Sequence, residues 1–325
     1  MSHPSPPTLD PVALERFKSK QNAQQGVWLH QEVGERMEHR LQWFKTLPSS
    51  WLDFEPINTG LAEHTRLQKL LLGASECITE HNSARLSETE QRLSTPKVIS
   101  SLFECLPRAL KSWLRQKLRL RGAQSFQLNK HFISSPHTVS SAVQTVQMVW
   151  ANMALHLSSE PQALIAHWHQ SLEIGGWVMF SCLGPDTTRE LRDIYKRMGW
   201  GNSSHEFTDM HDWGDMLVEA GFSDPVMDME RITLTYSSAE ALIKELRTLG
   251  KNFHAHRFQA LRGKDWLHEF KVQLSALSTS TNPLEPCIPI TFEIIYGHAF
   301  KVAPKIKVAS SATFSEGDLR AMLKR

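Results

Sequence analysis

Asp53, Glu80 and the run Trp150-Ala151-Asn152 each close a short apolar stretch that reads as a β-strand. Beyond the carboxyl ends of strands is where an open α/β sheet binds its ligands, near the point at which strand order reverses. A carboxylate at such an end, as Glu80 would be, can accept hydrogen bonds from both hydroxyls of a ribose diol. On position alone it reads more readily as a solvated acid. The stretch Asp53-Phe54-Glu55-Pro56-Ile57-Asn58-Thr59-Gly60 joins the first strand to a helix, with Asn58-Thr59-Gly60 as the turn. Arg257, in Phe253-His254-Ala255-His256-Arg257, is a cation that could orient a substrate carboxylate, or an ordinary surface arginine.

Other chemistries find less support. No Ser-His-Asp or paired-carboxylate constellation is apparent, so no catalytic acid, base or nucleophile is assigned. His254 and His256 are two apart on what reads as helix and cannot share a face, so no metal site is expected. His64 and His81 read as surface residues, and His211 beside Asp209 reads as part of a helix cap. Cys77, Cys105, Cys182 and Cys287 have no Cys-x-x-Cys spacing, which favours thiols in a reducing compartment. Between Leu106 and Arg121 lies a basic amphipathic stripe. Arg108, Lys111, Arg115, Lys117 and Arg119 alternate with Leu110, Trp113, Leu114 and Leu118, and no acid interrupts them. Such a face fits an acidic protein helix, an anionic membrane surface, a nucleic-acid backbone or simple solvation.

The elements that must position these residues follow from periodicity. Val33, Met37, Leu41 and Phe44 mark one face of a helix that stops before Pro48. Strands are expected at 51–54, 76–80, 146–150, 177–180 and 231–236, with one or two more between 288 and 302. Helices are expected at 61–72, 161–172, 186–198, 209–220 and 239–249, and a short one at 315–323. This alternation argues for an α/β fold, a parallel sheet with helices on both faces. With 36 Lys and Arg against 34 Asp and Glu, the net charge of +2 is too small to point to nucleic acid. The 41% hydrophobic content supports a sizeable core, no run is long enough to span a membrane, and no leader is visible, so a cytoplasmic protein is expected.

Val149-Trp150-Ala151-Asn152-Met153-Ala154-Leu155, Ile174-Gly175-Gly176 and Phe180-Ser181-Cys182-Leu183-Gly184-Pro185-Asp186 resemble the second half of a class I S-adenosylmethionine-dependent methyltransferase. More narrowly, the chain resembles the malonyl-acyl-carrier-protein O-methyltransferases of biotin synthesis. Phe207 to Asp212, Ala220 to Pro225, Leu249-Gly250 and Pro289 to Ile295 continue the likeness, and Phe17 and Gln31 have the separation of that family's N-terminal motif. The resemblance implies a mostly parallel seven-strand Rossmann-like sheet over residues 12–302. It also implies an N-terminal helical region (12–47) above the ligand cleft and a helical insertion at 237–280. Residues 1–11 would be flexible, and 303–325 would form a tail. S-adenosylmethionine would lie against Asp53, Gly60, Glu80, Trp150, Ala151 and Asn152, and Arg257 would meet the substrate. Acyl carrier protein would be the partner, with the basic stripe at 108–119 as its contact. Where the family's first motif has glycines this chain has Glu55 and Pro56, and Gln24 replaces an aromatic. A non-catalytic family member that binds a carrier or partner enzyme is therefore the alternative.

Overall fold

A computed structural model describes residues 9–18, 27–56, 61–71, 76–80 (main chain only), 145–280, 282 and 286–303. The elements are α1 (Pro11–Lys18), α2 (Trp28–Leu41), β1 (Ser50–Phe54), α3 (Leu61–Leu70), β2 (Glu76–Glu80), β3 (Val146–Ala151), α4 (Pro161–Ser171), β4 (Leu172–Leu183), α5 (Arg189–Arg197), α6 (Met210–Glu219), β5 (Phe222–Tyr236), α7 (Ala239–Leu249), α8 (Lys264–Ser275) and β6 (Ile288–Lys301). No helix among the described residues is long and apolar enough to cross a membrane. The basic stripe and the helix expected at 315–323 lie outside the described residues.

The strands form one sheet in the order β2-β1-β3-β4-β6-β5. β1 pairs in parallel with β2 and β3, and β3 with β4, whereas β6 runs antiparallel to both β4 and β5. The expected mostly parallel seven-strand sheet is thus a mixed sheet of six strands among the described residues. The reversal has a local cause. The long 14-residue strand β6 returns between β4 and β5 as the partner of both, with Ile290, Ile294 and Ile295 buried. Pairing leaves the chain from β1 to β2 on one side and to β3 on the other, so strand order reverses at β1 and β3.

Helix α2 forms as its spacing predicts, burying Leu29, Val33, Met37 and Leu41 against one side of the sheet. Each such side chain contributes about 1.5–3 kcal/mol of burial. Its 14 residues span about 21 Å, enough to cross the three strand steps of about 4.8 Å that separate β3 from β5. At the far end Arg36 pairs with Glu230 and Arg40 with Asp228, each at 2.6 Å. The Arg40 guanidinium also stacks 3.7 Å from the Tyr296 ring. The insertion between β5 and β6 carries α7 and α8, fixed to α5 by the aromatic cluster of Tyr195, Trp200, Trp266 and Phe270.

β5 begins at Phe222, nine residues ahead of the alternating run at 231–236, because Asp224 and Pro225 make a bulge that masks the alternation. Leu172 to Gly176, expected as a helix end and turn, instead extends β4. Leu9, the first described residue, is buried and bridges antiparallel to His254, so it is already docked.

Gly297 on β6 faces the Phe180 ring so closely that an added Cβ would collide with it. Gly297→Ala is expected to destabilise the fold by about 1–3 kcal/mol through overpacking, read as a lower urea midpoint at unchanged slope.

Candidate functional site

Asp53 ends β1 as the sequence places it. Its carboxylate is buried and sits 2.6 Å from Nδ1 of His64. His64 is therefore not on the surface, because the first turn of α3 lies directly over the end of β1. Next to it, Glu63 is also buried and accepts from the Trp150 indole at 2.8 Å and from the Asn152 amide at 2.7 Å. That amide donates as well to the main-chain carbonyl of His30 on α2, at 2.8 Å, while Asn152 Oδ1 accepts from Ser181 at 2.6 Å. Ser181 Oγ in turn accepts from the Met153 amide at 3.0 Å, holding Met153 at φ +51°. Side chains on α3, β3 and β4, with the α2 main chain, thus close one polar network. Gly34 on α2 makes room for it: a Cβ there would meet the Glu63 carboxyl at 2.6 Å.

The sequence-predicted ligand residues fare differently. Trp150 and Ala151 are buried core residues, and the Asn152 side chain is committed to the network. These residues fix the end of β3 through their burial and hydrogen bonds. Glu80 ends β2, its side chain being outside the described residues along with Gly60. Glu55 occupies the first position after β1 where the family has glycine, and its main chain still adopts the left-handed φ of +52°. Such a conformation costs a non-glycine residue about 1–2 kcal/mol, so it is held by its surroundings. The holder is Lys18 at the end of α1, whose ammonium meets both Glu55 carboxylate oxygens, at 3.2 and 3.1 Å. The negative charge that would repel a ligand carboxylate is therefore neutralised from within the chain. The left-handed turn at Glu55, with its charge paired by Lys18, is compatible with the carboxylate end of S-adenosylmethionine.

Lys18, Glu63 and Ser181 escape sequence reasoning. Glu63 alone leaves a trace, standing with Leu67 and Leu71 on the buried stripe of α3, an acid on an apolar face.

Across from the crevice, α1 packs Phe17 against Phe253, ring centroids 5.4 Å apart. Arg257 belongs to this turn, its Nη1 bonded to Asp10 at 2.7 Å and to the His254 carbonyl. The Ala13 amide, then Arg257, hold the Asp10 carboxyl below its ordinary range. His254 and His256 lie in a turn rather than on a helix, and Asp209 caps α6 by accepting from the His211 amide. The loop after β4 is held by Glu293 on β6, which accepts from the Asp186 amide at 2.6 Å. Thr188, at φ +52°, donates its amide to the Thr291 carbonyl.

Two further histidines meet between the crevice and this turn. His156 is fully buried and its protonation is strongly disfavoured, by burial first and then by His205, His30 and Lys18. His205 is pushed down to about 4, by burial first and then by His254.

The reversal of strand order, the crevice above β1 and β3, and the cap of α1 and α2 define a Rossmann-like class I methyltransferase fold. No protein-family model matches the chain. A malonyl-[acyl-carrier protein] O-methyltransferase of Gallionella capsiferriformans is 39% identical over 166 residues, 51% of this chain and 56% of that protein. One of Laribacter hongkongensis is 37% identical over 161 residues, 50% of this chain and 53% of its own. These matches span about half the length of the two relatives. A third, of Nitrosospira multiformis, is 30% identical over 294 residues, 89% of this chain and 88% of its own. The chain belongs to the malonyl-[acyl-carrier protein] O-methyltransferase family.

Two outcomes are expected of the buried groups. Glu63→Ala strands the Trp150 and Asn152 donors and should cost about 2–4 kcal/mol by urea unfolding. For His205, the unfolded imidazole titrates near 6.5 and the folded one near 4, so the unfolded state binds more protons between these values. Its contribution is full above pH 6.5 and is lost as pH falls toward 4, about 3 kcal/mol in all. His205→Gln should flatten the stability–pH slope in that window.

Proposed function

We propose that the chain transfers a methyl group from S-adenosylmethionine to the free carboxylate of a malonyl thioester on acyl carrier protein, a step of biotin synthesis in the cytoplasm. The observation that carries this reading is the turn after β1. Its main chain keeps the left-handed course at Glu55, and Lys18 masks the charge of the residue that replaces glycine. When bound, S-adenosylmethionine supplies an electrophilic methyl group on a sulfonium.

The residues of this chain have modest work to do. A malonyl carboxylate is ionised at neutral pH, so no general base is needed, which agrees with the absence of any base assigned from the sequence. Rate comes from alignment and exclusion of water. Asp53 and the turn at Glu55 would hold the methyl donor, with Gly60 and Glu80 beside them. The end of β3 from Trp150 to Asn152 would act as a wall that the Glu63 network keeps in place. Arg257 would orient the malonyl carboxylate. Only its Nη1 is engaged by Asp10 and His254, so the guanidinium keeps further donors for a second anion. The basic residues Arg108, Lys111, Arg115, Lys117 and Arg119 would attract the carrier protein, a role supported by their uninterrupted positive charge in the sequence.

Calorimetric titration with S-adenosylmethionine and S-adenosylhomocysteine, followed by labelled methyl transfer onto malonyl carrier protein, tests the reading. Both ligands are expected to bind, and Asp53→Ala to abolish binding while the fold persists by circular dichroism. Arg257→Ala should raise KM for the malonyl substrate about tenfold to a hundredfold, as expected for lost charge-assisted hydrogen bonds. Silence toward both nucleosides would leave a carrier-binding scaffold in place of an enzyme.

A further inference from the structure

A cavity of about 720 Å³ opens between α5 and the loop 201–207, lined by Pro185, Arg192, Tyr195 and Lys196 on one side and by Asn202 to Phe207 on the other. This volume lies within the range of small-molecule sites. Its loop wall carries four buried polar atoms without a hydrogen-bond partner: Ser203 Oγ, Ser204 Oγ, and Nδ1 and Nε2 of His205. Buried polar atoms are nearly always satisfied, so three consecutive residues left unsatisfied along one wall point to a partner that occupies the space. His205 is only 6% exposed. Burial keeps it neutral, one ring nitrogen donating and the other accepting, which matches an amide rather than an ion. The cations stand elsewhere. Arg192 and the exposed Lys196 lie one turn apart on α5, on the opposite wall. Arg192 spends one donor on the Thr187 carbonyl, at 2.9 Å.

The occupant this arrangement fits is elongated, with uncharged amides at one end and an anion at the other. We propose that the cavity binds the phosphopantetheine arm of the carrier substrate, its phosphate on Arg192 and Lys196 and its amides on Ser203, Ser204 and His205. The inference rests on the function proposed above and deepens it. The inner end of the cavity also lies on the correct side. His205 and His156 line one small adjoining pocket, and His156 lies in the turn that follows the end of β3, beside the ligand end of the sheet. An arm seated along His205 would therefore lead its thioester toward the methyl donor. Pro185 lines the cavity next to the Asp186 amide held by Glu293, and the Phe253 ring packs beside His205.

The test compares binding of 4′-phosphopantetheine, pantetheine and inorganic phosphate to the whole chain, by calorimetry at millimolar concentrations, with no turnover required. The phosphorylated arm is expected to bind about tenfold more tightly than pantetheine, and inorganic phosphate more weakly than either. Lys196→Glu should erase the advantage of the phosphate and leave pantetheine affinity unchanged. Ser203→Ala combined with Ser204→Ala should weaken both arms about tenfold. That double variant removes only unsatisfied hydroxyls, so its melting temperature should hold or rise, which separates loss of binding from loss of fold. Equal affinities in wild type and both variants would overturn the site, as would inorganic phosphate binding as tightly as the full arm. Methyl transfer with KM unmoved in these variants refutes the site alone. Arm binding that responds to the variants, without any methyl transfer, refutes the functional reading and leaves the site standing.

Discussion

The buried Glu63 carboxyl is the point on which this end of the molecule depends. It takes hydrogen bonds from β3 through Trp150 and Asn152, and Asn152 passes the connection to α2 through the His30 carbonyl and to β4 through Ser181. A carboxyl buried without such donors would be expelled or neutralised, because burying an unpaired charge costs several kcal/mol. Each donor exists because the strands and helices are in register, and each strand end is fixed because the donor is used. Gly34 completes the fit, since any side chain there would strike the carboxyl. The crevice above β1 and β3 therefore has walls set by an internal acid rather than by the ligand.

A second constraint acts at the mouth of that crevice. The turn after β1 needs a left-handed residue, a role glycine fills without strain, and here Glu55 fills it. Lys18 compensates by binding the Glu55 carboxylate, so the last turn of α1 is tied to the end of β1. The same helix contributes Phe17 to the small core with Leu9, Leu14, Leu157 and Phe253. N-terminal cap, strand-end turn and insertion are joined through one short helix, and the geometry of the turn comes from a tertiary ion pair in place of local sequence.

Much of this was legible in the sequence. The spacing of Val33, Met37 and Leu41 yields α2, the Asp209 cap yields α6, and Ala239 to Leu249 has the bounds of α7. Asp53 is placed at the end of β1. What could not be read is what depends on elements distant in the chain meeting in space. His64 looks like a surface residue until α3 is laid over β1. That the Asn152 amide is bound by Glu63, 89 positions away, has no trace in the local sequence. Ser203, Ser204 and His205 are an ordinary polar loop in sequence, and only the wall of α5 opposite gives them meaning. β5 was half hidden because a bulge at Asp224 and Pro225 breaks the alternation by which strands are recognised.

That bulge bears on how the protein behaves when crowded. β5 is 15 residues long and stands last in the sheet order, with its outer row of main-chain groups on the side away from β6. A long flat ribbon of this kind would recruit strands from neighbouring molecules. Pro225 withholds one donor, and the kink beside it twists the ribbon. A second molecule adding a strand there would meet an interrupted ladder, so this margin of the described sheet resists growing into an aggregate.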